Sequence, residues 1–275
     1  MSDDLADNRA PDRIRHHYEV ERELAARLRK SNQEERTALF KTLYDELFRR
    51  VPDHPRLVRG EKPEDTAQKV KAALRLLEPH LGPEKTLVEF APGDGRLADA
   101  AASLCKRVIG VDISDQRAHP EQSPANVEVI VYDGYHCDLP DACADVAFSC
   151  MFLEHLHPDD VQPHLRLARR LLKPGGVYVI WTPHLFAGPH DVSRHFGDEL
   201  NCFHFQEWTV ASLEKELRTA GFRDAWIYRG GHLRKSPVTN ALERAAERFW
   251  GWMPGGLRKP VSARLFRAVV LAARR

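Results

Sequence analysis

The sequence predicts a doubly wound α/β protein with a seven-stranded, mostly parallel sheet and an N-terminal helical cap. Strand-like and helix-like segments alternate from residue 63 to the C-terminus, a glycine turn follows the first buried strand, and acidic residues end three successive strands. Alternation of this kind favours a parallel sheet with helices on both faces. Such sheets bind ligands at the carboxyl ends of their strands.

The N-terminal segment, residues 1–62, has a helical pattern of its own. Apolar side chains recur at helical spacing from Arg13 to Arg50. Residues 51–63 are charged and proline-rich and read as a linker that ends the pattern. We therefore divide the chain into a helical cap, residues 1–62, and a ligand-binding domain, residues 63–275.

The domain of residues 63–275 has seven strand-like segments separated by helical ones. Residues 184–208 show neither period and carry four histidines, which predicts an active-site insertion. The predicted helices cover residues 66–80, 159–172, 210–220 and 241–250. The predicted strands cover residues 86–90, 108–112, 127–133, 145–150, 177–181, 225–228 and 268–273.

Composition favours a cytoplasmic protein with reduced cysteines. The chain has 275 residues, 43% of them apolar, and no apolar run near the ~20 residues that span a bilayer. Residues 1–12 are acidic and polar, unlike a signal peptide, and the five cysteines form no CxxC pair. The net charge of +1 creates no general attraction to nucleic acid.

Glu89 is a carboxylate within the predicted buried strand 86–90. Burial of a carboxylate is unfavourable unless something binds it, so the sequence predicts a ligand with a positive group. Asp112 and Asp133 end the next two strands and so belong to the same edge of the sheet. Either aspartate alone could instead be the N-cap of a helix.

Two ligand classes fit the turn that follows Glu89. The spacing of Gly93, Gly95 and Ala98 matches the dinucleotide fingerprint. Asp94 lies inside that turn, however, and would repel a pyrophosphate. A ligand with an amino group, a ribose and an adenine, but no phosphate, suits the acidic residues better.

Residues 89–95, Glu-Phe-Ala-Pro-Gly-Asp-Gly, resemble the acid-apolar-Gly-x-Gly-x-Gly motif of class I S-adenosylmethionine-dependent methyltransferases, with Ala91 in place of the first glycine. The stretches 174–176 and 220–222 are also similar to this family. The resemblance covers residues 63–275. It implies a Rossmann-like methyltransferase fold and S-adenosyl-L-methionine as cofactor.

The resemblance also implies roles for individual residues. Glu89 would hold the methionine amino group, Asp112 the ribose hydroxyls, and Asp133 the adenine amino group. The Gly134 amide would lie near the ring, and the Cys150 carbonyl near the amino group. The implied cofactor-binding set is Glu89, Ala91, Gly93, Gly95, Asp112, Ile113, Asp133, Gly134 and Cys150.

A hydroxyl acceptor needs a general base, and histidine is suited to that task at neutral pH. We rank His190 first, then His204, then His155, with Asp191 as the carboxylate that could orient a base. His190, Asp191 and His195 could instead offer two nitrogens and a carboxylate to a metal. No ligand spacing supports that alternative, and we assign no metal site.

The acceptor class is narrowed by what the sequence lacks. Residues 149–152, Ser-Cys-Met-Phe, stand where relatives that methylate nucleic-acid bases have Asn/Asp-Pro-Pro-aromatic. The chain also has no aromatic-interleaved basic stripe. We expect O-methylation of a small-molecule, sugar or lipid-linked acceptor. A cofactor-binding protein without catalysis and a nicotinamide-dependent oxidoreductase are the alternatives.

The C-terminal residues 229–275 are basic, with eleven Lys and Arg against two Glu. Phe249, Trp250 and Trp252 lie within this stretch. Aromatic side chains beside cations suit the headgroup layer of an anionic membrane. We favour the alternative that the aromatic side chains pack on the sheet while the arginines stay hydrated. The oligomeric state has no signature in the sequence.

Overall fold

The computed structural model describes residues 7–58, 63–254, 261–262 and 264–275. The predicted linker at 51–63 and the basic C-terminal stretch therefore lie partly outside the described residues. All five cysteines are described, and all are free thiols. Across the described ranges, no helix combines the length and the apolar character needed to cross a membrane.

One sheet organises the domain, in the strand order β3-β2-β1-β4-β5-β8-β6-β7. Strands β1 to β5 are parallel, and β8 lies antiparallel between β5 and β6. The strands are β1 Gly82–Phe90, β2 Cys105–Asp112, β3 Val127–Val131, β4 Ala144–Cys150, β5 Leu172–Pro183, β6 Ala225–Arg229, β7 His232–Arg234 and β8 Ala268–Arg274.

The sheet has eight strands among the described residues, so the predicted count of seven was wrong. The additional strand, β7, pairs with β6 across Gly230 and Gly231. Both glycines have positive φ, 58° and 78°. A two-glycine connection is typical of a tight hairpin turn, and the sequence interpretation overlooked this signal.

The helices cover both faces of the sheet, as the doubly wound prediction requires. On one face α7 and α8 pack against Val88 and Phe90 of β1. On the other face α5 and α6 pack against Leu87 of the same strand. The helices are α1 Pro11–Lys30, α2 Gln33–Phe40, α3 Leu43–Arg50, α4 Pro55–Val58, α5 Pro63–Leu77, α6 Arg96–Ala101, α7 Pro158–Leu171, α8 Val210–Thr219 and α9 Pro237–Gly251.

The N-terminal helices have a separate apolar cluster that includes Phe203 of the 184–208 insertion. The helical pattern predicted from Arg13 to Arg50 is interrupted twice. Asn32 starts α2 with a capping box in which it exchanges hydrogen bonds with Glu35. Arg36 of α2 then donates two hydrogen bonds, 2.7 and 2.8 Å long, to Asp160 of α7. This buried ion pair attaches the N-terminal helices to the sheet domain.

The insertion, residues 184–208, contains only short helical turns at Leu185–Ala187 and Val192–His195. It packs against α1, where the rings of Tyr18 and Phe196 stack with centroids 4.2 Å apart. It also contacts the end of β4, because the Phe205 amide donates to the Glu154 carbonyl. The insertion therefore joins the N-terminal helices to the carboxyl edge of the sheet.

The aromatic residues near the end of α9 divide between core and surface. Trp250 packs near Phe266 and donates a hydrogen bond to Ser262. Phe249 and Trp252 are 67% and 83% exposed. The prediction that these aromatic residues pack on the sheet is therefore wrong for Phe249 and Trp252, because the helix presents both to solvent.

Candidate active site

The turn after β1 brings three residues into the left-handed region within five positions. Ala91, Gly93 and Gly95 have φ values of 53°, 57° and 77°. A side chain at Gly93 would meet no atom within 4 Å, so the turn leaves open space there for a ligand. A side chain at Gly95 would contact Arg117 at 2.8 Å. Gly93 thus faces open space, whereas the Arg117 side chain leaves no room for a larger residue at position 95.

Glu89 is buried near the end of β1, with 5% of its surface exposed. Its Oε2 atom has no hydrogen-bond partner among the residues that the structure describes. Burial, and then the nearby carboxylates of Asp94, Asp112 and Asp99, raise the pKa of Glu89 to about 8. An unpaired buried carboxyl group in this position is suited to bind a cationic group of a ligand.

Asp112 ends β2 beside this turn and is also buried. Its Oδ1 accepts a 2.7 Å hydrogen bond from the Ile113 amide. Burial raises the pKa of Asp112, while the amides of Ile113, Gly93 and Ser114 act in the opposite direction. The structure therefore brings Glu89, Asp112 and the Gly93 turn together at one sheet edge.

Asp133 follows β3 and is turned toward its own chain. Its Oδ1 accepts from the amides of Tyr135 and His136 at 2.7 and 2.6 Å. Burial acts to raise the pKa of Asp133, but those amides and the His136 ring hold it below the ordinary value. Asp133 thus closes the turn after β3 and does not cap a helix of the described residues. A side chain at Gly134 would lie 3.4 Å from Phe40 of α2, so α2 covers this loop.

Cys150 is the last residue of β4, between β1 and β5 in the sheet. Met151 follows with φ of 51° and donates its amide to the Trp181 carbonyl at 2.8 Å. Burial raises the pKa of the Cys150 thiol, and Glu154 and Glu89 raise it further. Cys150 thus lies at the carboxyl edge of the sheet, between the end of β1 that carries Glu89 and the residues that follow β4.

Glu207 is the carboxylate that holds two histidines of the insertion, His190 and His204. Its Oε1 accepts from the His190 amide at 2.7 Å and pairs with His204 Nδ1 at 2.8 Å. Its Oε2 pairs with His190 Nδ1 at 3.0 Å. Burial opposes ionisation, yet hydrogen bonds from both histidines lower the pKa of Glu207 to about 2. Glu207 is therefore ionised and fixes both rings.

The sequence interpretation missed Glu207 and gave its part to Asp191. In the structure the Asp191 side chain accepts from the Ser193 and His204 amides, whereas the carboxylate that pairs with the His190 and His204 rings is Glu207. A side chain at Gly188 would overlap the Glu207 carboxylate at 1.7 Å. Glycine at position 188 and the three-residue spacing of His204 and Glu207 are the signals that the sequence offered.

His155 lies beside His204, with ring centroids 4.9 Å apart. His155 Nδ1 contacts the Phe203 carbonyl at 3.1 Å, and burial lowers the pKa of His155 to about 3. Glu154 is fully buried, and burial raises its pKa to about 7. His155 is therefore neutral, and its Nδ1 carries the proton that the Phe203 carbonyl accepts.

Part of the N-terminal segment lies close to these residues. Burial raises the pKa of Tyr44 to about 12, and Tyr44 also feels the charges of Arg56, Asp112 and Glu154. Arg56 donates a 2.7 Å hydrogen bond to Gln116, in the loop after β2. Tyr44 and Arg56 thus stand near both the Asp112 side and the Glu154 side of the site.

Residues 88–180 match the family model described as a methyltransferase domain. A probable S-adenosylmethionine-dependent methyltransferase from Mycolicibacterium smegmatis is 33% identical over 141 residues, which are 50% of this chain and 52% of that protein. A protein of the same description from Mycobacterium tuberculosis is 27% identical over 67% of this chain and 75% of its own length. The first alignment thus spans about half of its relative.

Solved structures share the fold. A methyltransferase from Archaeoglobus fulgidus covers 76% of this chain and 94% of its own, with 20% identity and a TM-score of 0.52. A second structure is the 1,6-didemethyltoxoflavin-N1-methyltransferase of Burkholderia thailandensis, solved with 1,6-didemethyltoxoflavin and S-adenosylhomocysteine. Its alignment covers 93% of this chain and 90% of that protein, with 19% identity and a TM-score of 0.51. The second alignment is long enough to include most of the N-terminal helices.

The parallel sheet is of the Rossmann-like type, and residues 88–180, which contain the glycine turn, are similar to a methyltransferase domain. S-adenosylmethionine is the cofactor of this protein. The matched segment contains Glu89, Asp112 and Cys150, whereas the N-terminal helices and residues 184–208 lie outside it. The sheet edge around Glu89 thus lies within the matched segment, and the pair of His190 and His204 lies outside it.

Replacing Glu89 by Gln should weaken the binding of S-adenosylhomocysteine roughly 10- to 100-fold, because a charge-assisted hydrogen bond contributes ~1.5–3 kcal/mol. Titration calorimetry at about pH 7.5 measures the change. Glu84→Gln is the matched control, since Glu84 lies in the same strand and is 87% exposed. Equal affinity in both variants would contradict the assignment.

Glu89→Gln should also change how the stability of the unliganded protein depends on pH. A carboxyl group with a raised pKa binds a proton in the folded state between its ordinary pKa of 4.5 and about 8. Stability is therefore lost as the pH rises through that window. Urea unfolding at a series of pH values should show a smaller loss for the variant, and parallel curves would argue against the raised pKa.

Ala91→Gly should stabilise the unliganded protein by up to ~1 kcal/mol, because only glycine adopts positive φ without a steric cost. Ala102→Gly is the control, since Ala102 has φ of −55° and should lose ~0.5–1 kcal/mol. Urea unfolding with equal slopes compares the two. A loss of stability at position 91 would refute the strain at Ala91.

Proposed function

We propose that this protein transfers the methyl group of S-adenosylmethionine to an oxygen atom of a small-molecule, sugar or lipid-linked acceptor. The observation that carries the cofactor half of this proposal is the unpaired, buried Oε2 of Glu89 beside the open side of Gly93. The observation that carries the oxygen half is the pair of histidines fixed by ionised Glu207.

The residues of the sheet edge fit the cofactor. Glu89 would bind the amino group of its methionine part, and Asp112 would accept from its ribose hydroxyls. Gly93 leaves space for the methionine chain, and the Ile113 and Gly134 amides lie on the side proposed for the base. When bound, S-adenosylmethionine supplies a methyl group that is already activated on a sulfonium, so alignment and exclusion of water are the main tasks of the chain.

His190 is the best placed of the three proposed bases. It is half-buried, and its Nδ1 is held by Glu207, which leaves Nε2 to accept a proton from an acceptor hydroxyl. The negative charge of Glu207 stabilises the imidazolium that this step forms. His155 is a poor base because burial holds its pKa at about 3. His204 is buried and less accessible to an acceptor.

The N-terminal helices are proposed to cap the site. Phe40 covers the Gly134 loop, and half-buried Tyr44 lies near enough to Asp112 and Glu154 to feel their charges. The insertion closes against α1 through Tyr18 and Phe196. Such a cover would exclude water from the acceptor and the cofactor during transfer.

One surface favours a lipid-linked acceptor. The exposed apolar side chains of α9 and its C-terminal end recur at helical spacing, with Val238, Leu242, Phe249 and Trp252 each at least 64% exposed. Exposed basic residues, including Arg234, Lys235 and Arg248, accompany them. A side chain at Gly251 would lie 3.2 Å from Phe186, so this face ends beside the insertion. Docking on an anionic membrane would therefore bring the insertion close to the lipid surface.

Protein incubated with S-adenosylmethionine carrying a labelled methyl group, plus lipid and polar extracts, should yield a labelled product whose methyl carbon is bonded to oxygen by NMR. His190→Ala should lower the rate ~10²- to 10⁴-fold, the usual contribution of a general base. Glu207→Gln should lower it ~10-fold or more, because the ring loses its orientation.

His232→Ala is the matched control, because His232 lies on β7 at the far edge of the sheet. The S-adenosylhomocysteine affinity should be unchanged in all three variants. Full turnover by His190→Ala would exclude the proposed base. Cofactor binding without any labelled product would favour a binding protein, and stabilisation by nicotinamide cofactors alone would favour an oxidoreductase.

Vesicles that contain phosphatidylglycerol should bind the protein in a flotation assay, and added salt should weaken the binding. The double variant Phe249→Ser/Trp252→Ser should lose most of it, because the apolar contacts are removed. Val131→Ser is the control, since Val131 is 58% exposed on β3. Equal flotation of all three proteins, or none, would remove the membrane proposal.

A further inference from the structure

Glu154, His155 and His204 form a compact group at the carboxyl end of β4. One ligating atom from each residue lies within 4.8 Å of those of the other two. Two imidazoles and one carboxylate are a donor set common to zinc and non-haem iron centres. Within the described ranges, no comparable group includes His195, so the set His190, Asp191 and His195 weighed from the sequence is not assembled.

The two imidazoles are held in the way that metal-binding histidines usually are. His155 Nδ1 donates to the Phe203 carbonyl at 3.1 Å, and His204 Nδ1 pairs with Glu207 at 2.8 Å. Neither Nε2 has a hydrogen bond to a described residue. A carbonyl or carboxylate on one ring nitrogen fixes the ring and leaves the other nitrogen for a metal.

Glu154 supplies the independent observation. It is fully buried, and its Oε2 accepts a 3.0 Å hydrogen bond from Thr182 of β5. Its Oε1 is buried and has no partner among the described residues. A buried carboxylate oxygen without a donor is costly, and a cation is the simplest group to satisfy it.

We propose that Glu154, His155 and His204 bind one divalent transition-metal ion, with Zn²⁺ the expected type. Three protein ligands leave at least one coordination position open, as in catalytic zinc sites. This metal site is additional to the proposed methyl transfer, and its catalytic role depends on that proposed function. The ion would act on the proposed reaction through the carboxylate that His204 shares with His190, because a metal on His204 fixes Glu207 and with it the His190 ring.

A second histidine pair in the N-terminal helices is less suited to a metal. His17 Nε2 and Glu21 Oε2 pair directly at 2.7 Å, and Glu21 Oε1 accepts from the Phe203 amide at 3.1 Å. Arg9 also contacts His17 Nδ1 at 2.9 Å. Both carboxylate oxygens of Glu21 and both ring nitrogens of His17 thus already have hydrogen-bond partners. The cluster of His17, Glu21 and His54 therefore serves as a control site for metal binding.

Metal-free full-length protein should bind one equivalent of Zn²⁺ in titration calorimetry, without methyl donor or acceptor. Co²⁺ at the same site should give visible absorption bands that Zn²⁺ displaces. His155→Ala, His204→Ala and Glu154→Gln should each weaken binding at least 10-fold, and Glu207→Gln should weaken it 10- to 100-fold. His54→Ala should retain one equivalent, and so should His190→Ala.

Two checks keep the result interpretable. S-adenosylhomocysteine binding and the melting temperature report whether each variant is folded, and the Co²⁺ spectrum of the unaltered protein needs no variant. Absence of stoichiometric binding, or binding that survives His155→Ala/His204→Ala but is lost in His54→Ala, would overturn the proposal. Metal binding without methyl transfer would refute the proposed function alone, and transfer at an undiminished rate by metal-free protein would refute the catalytic role of the metal alone.

Discussion

The central constraint in this protein is a carboxyl group in the interior of the sheet, one oxygen of which has no hydrogen-bond partner among the described residues. Glu89 lies in β1, flanked by β2 and β4, and its pKa is raised to about 8. A sheet in this position would be more stable with an apolar residue. The cost is localised beside the Gly93 turn and the Asp112 carboxylate, so a ligand with a positive group and hydroxyls is the partner that relieves it.

A second carboxylate, Glu207, has the opposite environment. It is as well buried as Glu89, but two imidazoles and a backbone amide satisfy it, and its pKa falls to about 2. The two groups show how burial alone does not decide ionisation. One side of the site has a buried carboxyl oxygen without a partner among the described residues, and the other has an ionised carboxylate that fixes two imidazole rings.

Local pattern was sufficient to predict the alternating elements, both covered faces of the sheet, and Glu89 as the anomaly within β1. It was insufficient where partners are set by tertiary structure. Glu207 meets His190 seventeen positions away within an irregular segment, where no period indicates which side chains converge. Asp133 was ambiguous in sequence, because a strand-end aspartate can face a ligand or its own turn with equal local chemistry. The exposure of Phe249 and Trp252 depends on which face of α9 packs on the sheet. Apolar residues occur on more than one face of this helix, so their pattern does not identify the buried face.

The ion pair between Arg36 and Asp160 has a consequence for exchange of small molecules. Both side chains are nearly solvent-free, and Tyr135 adds its hydroxyl to Asp160 at 2.9 Å. Separating the pair would break hydrogen bonds between two buried charges, which is costly. The pair therefore holds α2 in place over the Gly134 loop and restricts access to that loop from the α2 side.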